Sequence, residues 1–363
     1  MLQASIRLYK NAYSGLPKEM WWLALVMFIN RCGTMVIPFL TVYLTSKGYT
    51  LAQAGYVMAA FGAGSIVGGF IGGVMTDKFG HYYVQVLSLL LSGIFFIVLG
   101  QMETFWQFVV CIFILSSLGE AFRPANSAAV ALYSNENNRT RCYSLNRLAI
   151  NLGWAIGPAA GGMLASYNYG LLFWADGLTC IVASLLLYVL FSSSGKKQEH
   201  KSSGETTKRI TSSAYKDKVF RIGMFYLFLV GLCFFQMFNV VPVYFKEEIG
   251  LDESTIGWVL ALNGLIIAVF EMVLVYKLEN RRDAVTYLML GAFLIGASFL
   301  FFEISKAFVF VLLQTFFITL GEMLLFPFMN NFWVRRSNET NRGQYAAVYT
   351  MSFSAAIVLA PTF

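Results

Sequence analysis

Charged side chains punctuate this chain at wide intervals, and the positions between them are apolar on every side of a helix. No Asp, Glu, Lys or Arg occurs in residues 48–76, 79–102, 148–175, 177–195, 222–245 or 284–302. A helix needs about 20 apolar residues to cross a bilayer, whereas barrel strands alternate polar and apolar over roughly 10 residues. The pattern predicts eleven membrane helices, near 20–46, 50–76, 82–101, 105–132, 142–166, 170–192, 219–246, 252–277, 283–302, 306–333 and 342–363.

Composition agrees with a lipid solvent. Of 363 residues 58% are hydrophobic and 12% charged, against roughly 25% charged in an average soluble domain. A water-soluble enzyme is excluded, and the net charge of +7 points to topology rather than to nucleic acid. The N-terminus and the stretches around the even-numbered loops hold 20 Lys/Arg, while the opposite loops hold only Lys47, Lys246 and Lys306. By the positive-inside rule the N-terminus is expected in the cytoplasm of an inner or plasma membrane, with no cleaved leader. The five cysteines form no CxxC pair, and His81 and His200 fall in loops. Neither a metal site nor a cofactor is expected.

The chain also repeats itself. SNENNR at 134–139 returns as SNETNR at 337–342, and Pro38/Pro242, Gly48/Gly250, Asp77/Glu279, LGE 118–120/320–322 and Pro158/Pro361 keep offsets of 202 to 204. The expected organisation is a six-helix bundle at 1–192, a flexible linker at 193–218 rich in Ser, Lys and Thr, and a second bundle at 219–363. By the repeat, the second bundle stops inside its fifth helix, about thirty residues short. Two such bundles with a site between them are the frame of a rocking transporter.

Two segments carry a family resemblance. Gly73-Val74-Met75-Thr76-Asp77-Lys78-Phe79-Gly80 resembles the loop signature Gly-x-x-x-Asp-(Arg/Lys)-x-Gly of the major facilitator superfamily. Gly153-Trp154-Ala155-Ile156-Gly157-Pro158-Ala159-Ala160-Gly161-Gly162 is similar to the GxxxGPxxGG pattern of that superfamily's antiporters. The resemblance implies an all-α fold of two pseudo-symmetric bundles and a gating role for Gly73, Asp77, Lys78 and Gly80. It also implies a flexing fifth helix at Gly153, Gly157, Pro158, Gly161 and Gly162. Its expected activity is proton-coupled efflux of a small solute by a monomer in the lipid bilayer. A weaker likeness, Asn30-Arg31 with Tyr43-Leu44 and Ile150-Asn151-Leu152-Gly153, resembles proton-coupled oligopeptide symporters and keeps an importer open. A non-transporting sensor or inactive fragment is the third reading.

A charge at mid-bilayer depth costs about 2.5–3.5 kcal/mol on insertion scales, so each one is a candidate. Arg31 lies near the middle of the first helix, Glu120 and Arg123 share a face of the fourth, Arg147 enters the fifth, and Glu322 repeats Glu120. Arg147 is expected to meet Glu120 or Arg123, and Glu322, followed only by apolar residues, is expected to carry the coupling proton. Asp176 and Glu271 are expected near helix ends, reaching interfacial water. Asn30, Thr34, Asn146, Asn151, Trp154, Gln236, Asn239 and Asn263 are candidate cavity-lining residues. Gly64, Gly68 and Gly72 are expected to pack against the eleventh helix, and Trp21, Trp22, Trp106 and Trp333 to sit at the membrane interfaces.

Overall fold

The computed structural model describes residues 2–202, 213–238, 240–279 and 281–360. Its helices are α1 (Leu2–Tyr13), α2 (Lys18–Cys32), α3 (Val36–Ser46), α4 (Leu51–Phe79), α5 (His81–Leu99), α6 (Phe105–Tyr133), α7 (Arg139–Tyr167) and α8 (Gly170–Ser202). They continue as α9 (Lys218–Phe235), α10 (Val240–Glu247), α11 (Glu253–Leu278), α12 (Ala284–Ser298), α13 (Phe301–Ile304), α14 (Phe308–Arg336) and α15 (Arg342–Leu359). Ten segments among the described residues are long and apolar enough to cross a membrane, and α15 occupies the eleventh expected position. Helix α8 continues to Ser202 into the stretch expected as linker. Residues 203–212, Asn239 and Pro361 lie outside the described residues.

The first and seventh expected helices are each broken, at matching places. A proline ring collides with the carbonyl four residues back, which is Thr34 for Pro38 and Phe238 for Pro242. The break between α2 and α3 lies at Gly33–Met35, and α9 passes through a 3₁₀ turn at Gln236–Phe238 before α10. Pro124 and Pro327 stay inside unbroken α6 and α14. The freed donors at the first break are met by Asp176, whose carboxylate accepts from Met35 N (3.0 Å) and Val36 N (2.8 Å). Asp176 is fully buried, so it caps a helix inside the bundle instead of reaching interfacial water. Past each broken helix the chain turns at Gly48 (φ +91°) and Gly250 (φ +80°), a left-handed conformation that favours glycine.

Two seams join the halves, α4 against α15 and α7 against α11. The glycines of α4 divide into two stripes. Gly64, Gly68 and Gly72 abut Phe113, Ser117 and Ala121 of α6, within their own half. The neighbouring stripe, Gly62, Gly69 and Gly73, faces Val358, Thr350 and Ala347 of α15. The expected contact with the eleventh helix therefore belongs to the second stripe, because a four-residue step turns slowly around the helix and each stripe meets one neighbour. Trp333 also departs from expectation. It is fully buried, its Nε1 donates to Asn330 Oδ1 (3.1 Å), and its ring faces Tyr143 across the seam. Trp106 (72% exposed) and Trp21 remain outside.

At the start of α9, Asp217 accepts from Phe220 N (3.1 Å), from both nitrogens of the Arg336 fork (2.8 Å each) and from the Tyr345 hydroxyl (2.9 Å). Burial pushes this carboxyl up, but the Arg336 fork and the other donors outweigh it and hold it at about 2. One acid thus ties α9, α14 and α15 together just outside the membrane span.

The two glycine environments give a stability test. A methyl at Gly73 would strike Ala347 Cβ and the Gly343 carbonyl, whereas Gly55 has open space around it. Gly73→Ala is expected to cost about 1–3 kcal/mol by overpacking, and Gly55→Ala to leave stability unchanged or raise it by up to about 1 kcal/mol. Thermal unfolding in detergent measures both, and equal effects would contradict the seam.

Candidate functional site

The two hexapeptides form the same turn. Asn135 N donates to Asn138 Oδ1 (2.9 Å) and Asn338 N to Asn341 Oδ1 (2.8 Å), while Asn138 N and Asn341 N donate back to Asn135 Oδ1 and Asn338 Oδ1 at 3.1 Å each. Each turn joins the fourth and fifth membrane helices of its half. They lie at one end of the bundle, since Asn331 near the end of α14 donates to Thr140 Oγ1 at the start of α7 (3.2 Å).

At this end each seam is latched by an acid on a helix N-terminus. Asp77, at the end of α4, accepts from Gly343 N (2.6 Å) and Gln344 N (2.8 Å) in the first turn of α15. Glu279, just past α11, accepts from Thr140 N (2.9 Å) and Arg141 Nε (3.0 Å) in the first turn of α7. Free N–H groups and the positive end of the helix dipole favour a carboxylate there. Gly73 lets α4 approach Gly343 closely enough for the latch. Lys78 takes no part in it: the side chain is exposed and lies over the Phe79 ring. Gly80 (φ +83°) turns the chain into α5.

Deeper in the α7–α11 seam lies a buried charge cluster. Arg147 of α7 is bonded to Glu271 of α11 (Nε to Oε1 and Oε2, 3.2 Å each) and to Glu322 of α14 (Nη2 to Oε1, 3.0 Å). Its guanidinium also lies 5.0 Å from the Phe326 ring centre. Asn263 Nδ2 donates to Glu322 Oε2 (3.1 Å) and to Thr319 Oγ1 (2.8 Å). Glu271 and Glu322 are 2% and 7% exposed, so two carboxylates share one arginine with almost no water.

These contacts revise several expectations. Arg147 pairs across the seam and not with Glu120 or Arg123, because the side of α7 that it occupies meets the second half. Among the described residues Glu120 pairs with Arg123, at 2.8 Å. Glu322 is surrounded by apolar neighbours in sequence yet receives donors from two other helices. Glu271, expected to reach interfacial water, lies two turns before the end of α11 and is buried. Its two oxygens share the Arg147 Nε–H, with Ser144 of the same helix α7 beside them, while Glu322 is bonded by Arg147 of α7 and Asn263 of α11.

The candidate cavity residues scatter. Asn30 donates to Cys180 Sγ (3.4 Å) and so faces α8. Asn146 is buried in a chain within the first half, accepting from Asn126, which accepts from Gln85 (3.3 and 3.2 Å). Gln236 donates to the Ala360 carbonyl (2.8 Å) at the end of α15. Thr34 lies in the α2–α3 break. Of the rest, Asn263 joins the charge cluster, Asn151 has a buried, unpartnered amide nitrogen, and Trp154 is 44% exposed. The antiporter-like segment packs on the broken first helix: Gly153 abuts Arg31, Gly157 the carbonyls of Arg31, Cys32 and Thr34, and Gly161 and Gly162 the side chains of Met35 and Phe39. Pro158 sits inside continuous α7.

The repeat explains what sequence reasoning missed. The offset of 202 that relates Asp77 to Glu279 carries Glu271 onto Gly69, and the offset of 203 between the hexapeptides carries Arg147 onto Thr350. Gly69 and Thr350 adjoin each other in the α4–α15 seam. The same contact is thus an ion pair in one seam and a close approach of small residues in the other. A charge facing a glycine in the repeat was the available signal.

Known proteins share this architecture. The family described as Major Facilitator Superfamily matches residues 23–361. The uncharacterized MFS-type transporter YqjV of Bacillus subtilis (strain 168) is 27% identical over 318 residues, 85% of this chain and 77% of the relative. A Na(+), Li(+), K(+)/H(+) antiporter of Planococcus maritimus is 25% identical over 366 residues, covering 92% and 85%. The crystal structure of the human organic anion transporter MFSD10 aligns with a TM-score of 0.76 at 14% identity, over 95% of this chain and 92% of that one, a likeness of fold.

The latches give a direct test. Asp77→Asn keeps the shape but removes the charge that favours the α15 N-terminus, about 0.3–1 kcal/mol of bias. Cysteines placed along the α4–α15 seam are expected to label about 2–5-fold faster from the hexapeptide end in this variant. Unchanged labelling would rule out a gating role.

Proposed function

Because this chain belongs to the major facilitator superfamily, we propose that it is a secondary transporter exporting a small organic solute in exchange for protons by alternating access. It is a multi-pass membrane transporter and not an enzyme. The direction and the coupling ion rest on the antiporter-like segment of α7 and on the antiporter among the relatives. Both halves of the site come from one chain, which therefore works as a monomer. The excess of Lys/Arg at the hexapeptide end supports placing that end, and the N-terminus, in the cytoplasm of the plasma membrane.

The observation that carries the reading is Arg147 held by Glu271 and Glu322 across a seam. With all three groups ionised the cluster holds one negative charge in excess, and desolvation makes such a charge costly. Uptake of one proton neutralises it and leaves Arg147 one carboxylate to bind. The two acids titrate as a pair. Glu271 is the one that takes the proton, while Glu322 keeps its bonds from Arg147 and Asn263 on two other helices. Losing the Glu271 contact loosens α7 from α11 and lets the halves part at the hexapeptide end. Release of the proton there restores the bridge and closes that end again.

In proteoliposomes, Glu271→Gln is expected to abolish transport driven by a pH gradient, a loss of at least about tenfold, and to leave solute exchange without a gradient intact. Glu322→Gln is expected to impair both, because Arg147 loses its better-anchored partner. Full gradient-driven transport by Glu271→Gln would refute the assignment.

A further inference from the structure

Arg31 ends the last turn of α2 at the α2–α3 break, and its Cβ lies against Gly153 of α7. Among the described residues its guanidinium makes no hydrogen bond or ion pair, and its Nε is buried. Glu120 and Arg123 of α6 and Cys180 of α8 are the titratable groups whose fields reach it. Glu120 and Arg123 satisfy each other's charge, so this wall of the first half carries one uncompensated positive charge.

A cation left unpaired at membrane depth is costly unless something else supplies the anion. We infer that Arg31 is the anchor for the anionic group of the transported solute, a carboxylate or sulfonate. The inference rests on the transporter reading and adds the substrate class to it. A planar guanidinium suits a carboxylate or sulfonate by paired N–H donation. The competing reading is structural, with Arg31 serving only the negative end of the α2 dipole.

Binding to the purified full-length protein in detergent separates the two, with naphthalene-2-sulfonate as the anion, naphthalene as its neutral analogue and tetraphenylphosphonium as the cation. The sulfonate is expected to quench tryptophan fluorescence saturably and to bind at least tenfold more tightly than naphthalene. Arg31→Gln should weaken it at least tenfold, Arg31→Lys should restore part of the loss, and the cation should bind no better to wild type than to Arg31→Gln. Sulfonate binding unchanged in a folded Arg31→Gln protein, or preference for the cation, overturns the proposal. Binding needs no pH gradient, so failed proton coupling with intact sulfonate binding would count against the antiport reading alone.

A second, independent observation concerns α1. Tyr9 Oη donates to the Val269 carbonyl of α11 (2.8 Å), Arg141 Nη1 donates to the carbonyls of Asn11, Ala12 and Ser14 (3.4, 3.3 and 3.1 Å), and Asn138 Nδ2 donates to Gly15 O (3.2 Å). Ala12 is fully buried, and Tyr13 lies within electrostatic reach of Glu271. The helix is therefore tied to both sides of the α7–α11 seam, over the end from which the charge cluster is reached. The geometry points to α1 as a strap that must lift before this seam opens. In a background without native cysteines, Ser144→Cys beside Glu271 reports access from the hexapeptide end to a membrane-impermeant maleimide. Ala12→Arg is expected to raise its labelling rate about tenfold and the milder Tyr9→Phe about twofold. Unchanged rates in both variants overturn the strap.

Discussion

The cluster of Arg147, Glu271 and Glu322 is the constraint to which the rest of the molecule is arranged. An ion inside an apolar bundle is tolerated only when it is paired, and removing one partner of a buried pair costs far more than the pair contributes. Here the cation belongs to one half and both anions to the other. The halves cannot part at the α7–α11 seam without stranding a charge, unless a proton or a new partner arrives. Packing, latching and the strap of α1 all converge on the same end of that seam.

Pseudo-symmetry supplies the frame and its breaking supplies the chemistry. Both halves use an acid on a helix N-terminus, the same asparagine turn and the same proline-broken first helix. Among the described residues, the α7–α11 seam alone carries a buried cluster of paired charges. The other brings Gly69 to Thr350 and Gly73 to Ala347, contacts too close for larger residues. A seam of small residues slides or hinges at little electrostatic cost, whereas parting the charged seam separates opposite charges. Dividing the labour in this way gives one responsive interface and one permissive interface in a single chain.

The broken first helix is packed into this frame. The α2–α3 break is held open by Asp176, whose carboxylate takes the two donors that a continuous helix would have bonded internally. Close packing of Gly153 and Gly157 on the residues around the break means that a bend in α7 at Pro158 moves Arg31 as well. Arg147 lies on that same helix, so the wall that carries Arg31 and the charge cluster are mechanically joined.

The sequence by itself determined the number and order of membrane helices, the two-fold repeat, the latch at Asp77 and the short list of charges able to matter. Those follow from local rules: how long an apolar run must be, where a proline cannot continue a helix, and what a charge costs in lipid. It also marked Arg147 and Glu322 as important. Which charges pair was decided only by the tertiary structure, since partners such as Arg147 and Glu271 are 124 residues apart. Their meeting depends on which side of each helix the packing turns inward. For the same reason Asn146 and Asn30 turned into their own half, Trp333 turned into the core, and Glu271, two turns from its helix end, is buried against Arg147. A residue's depth is legible from its distance to the nearest loop, but its facing is a property of the neighbours that fold against it.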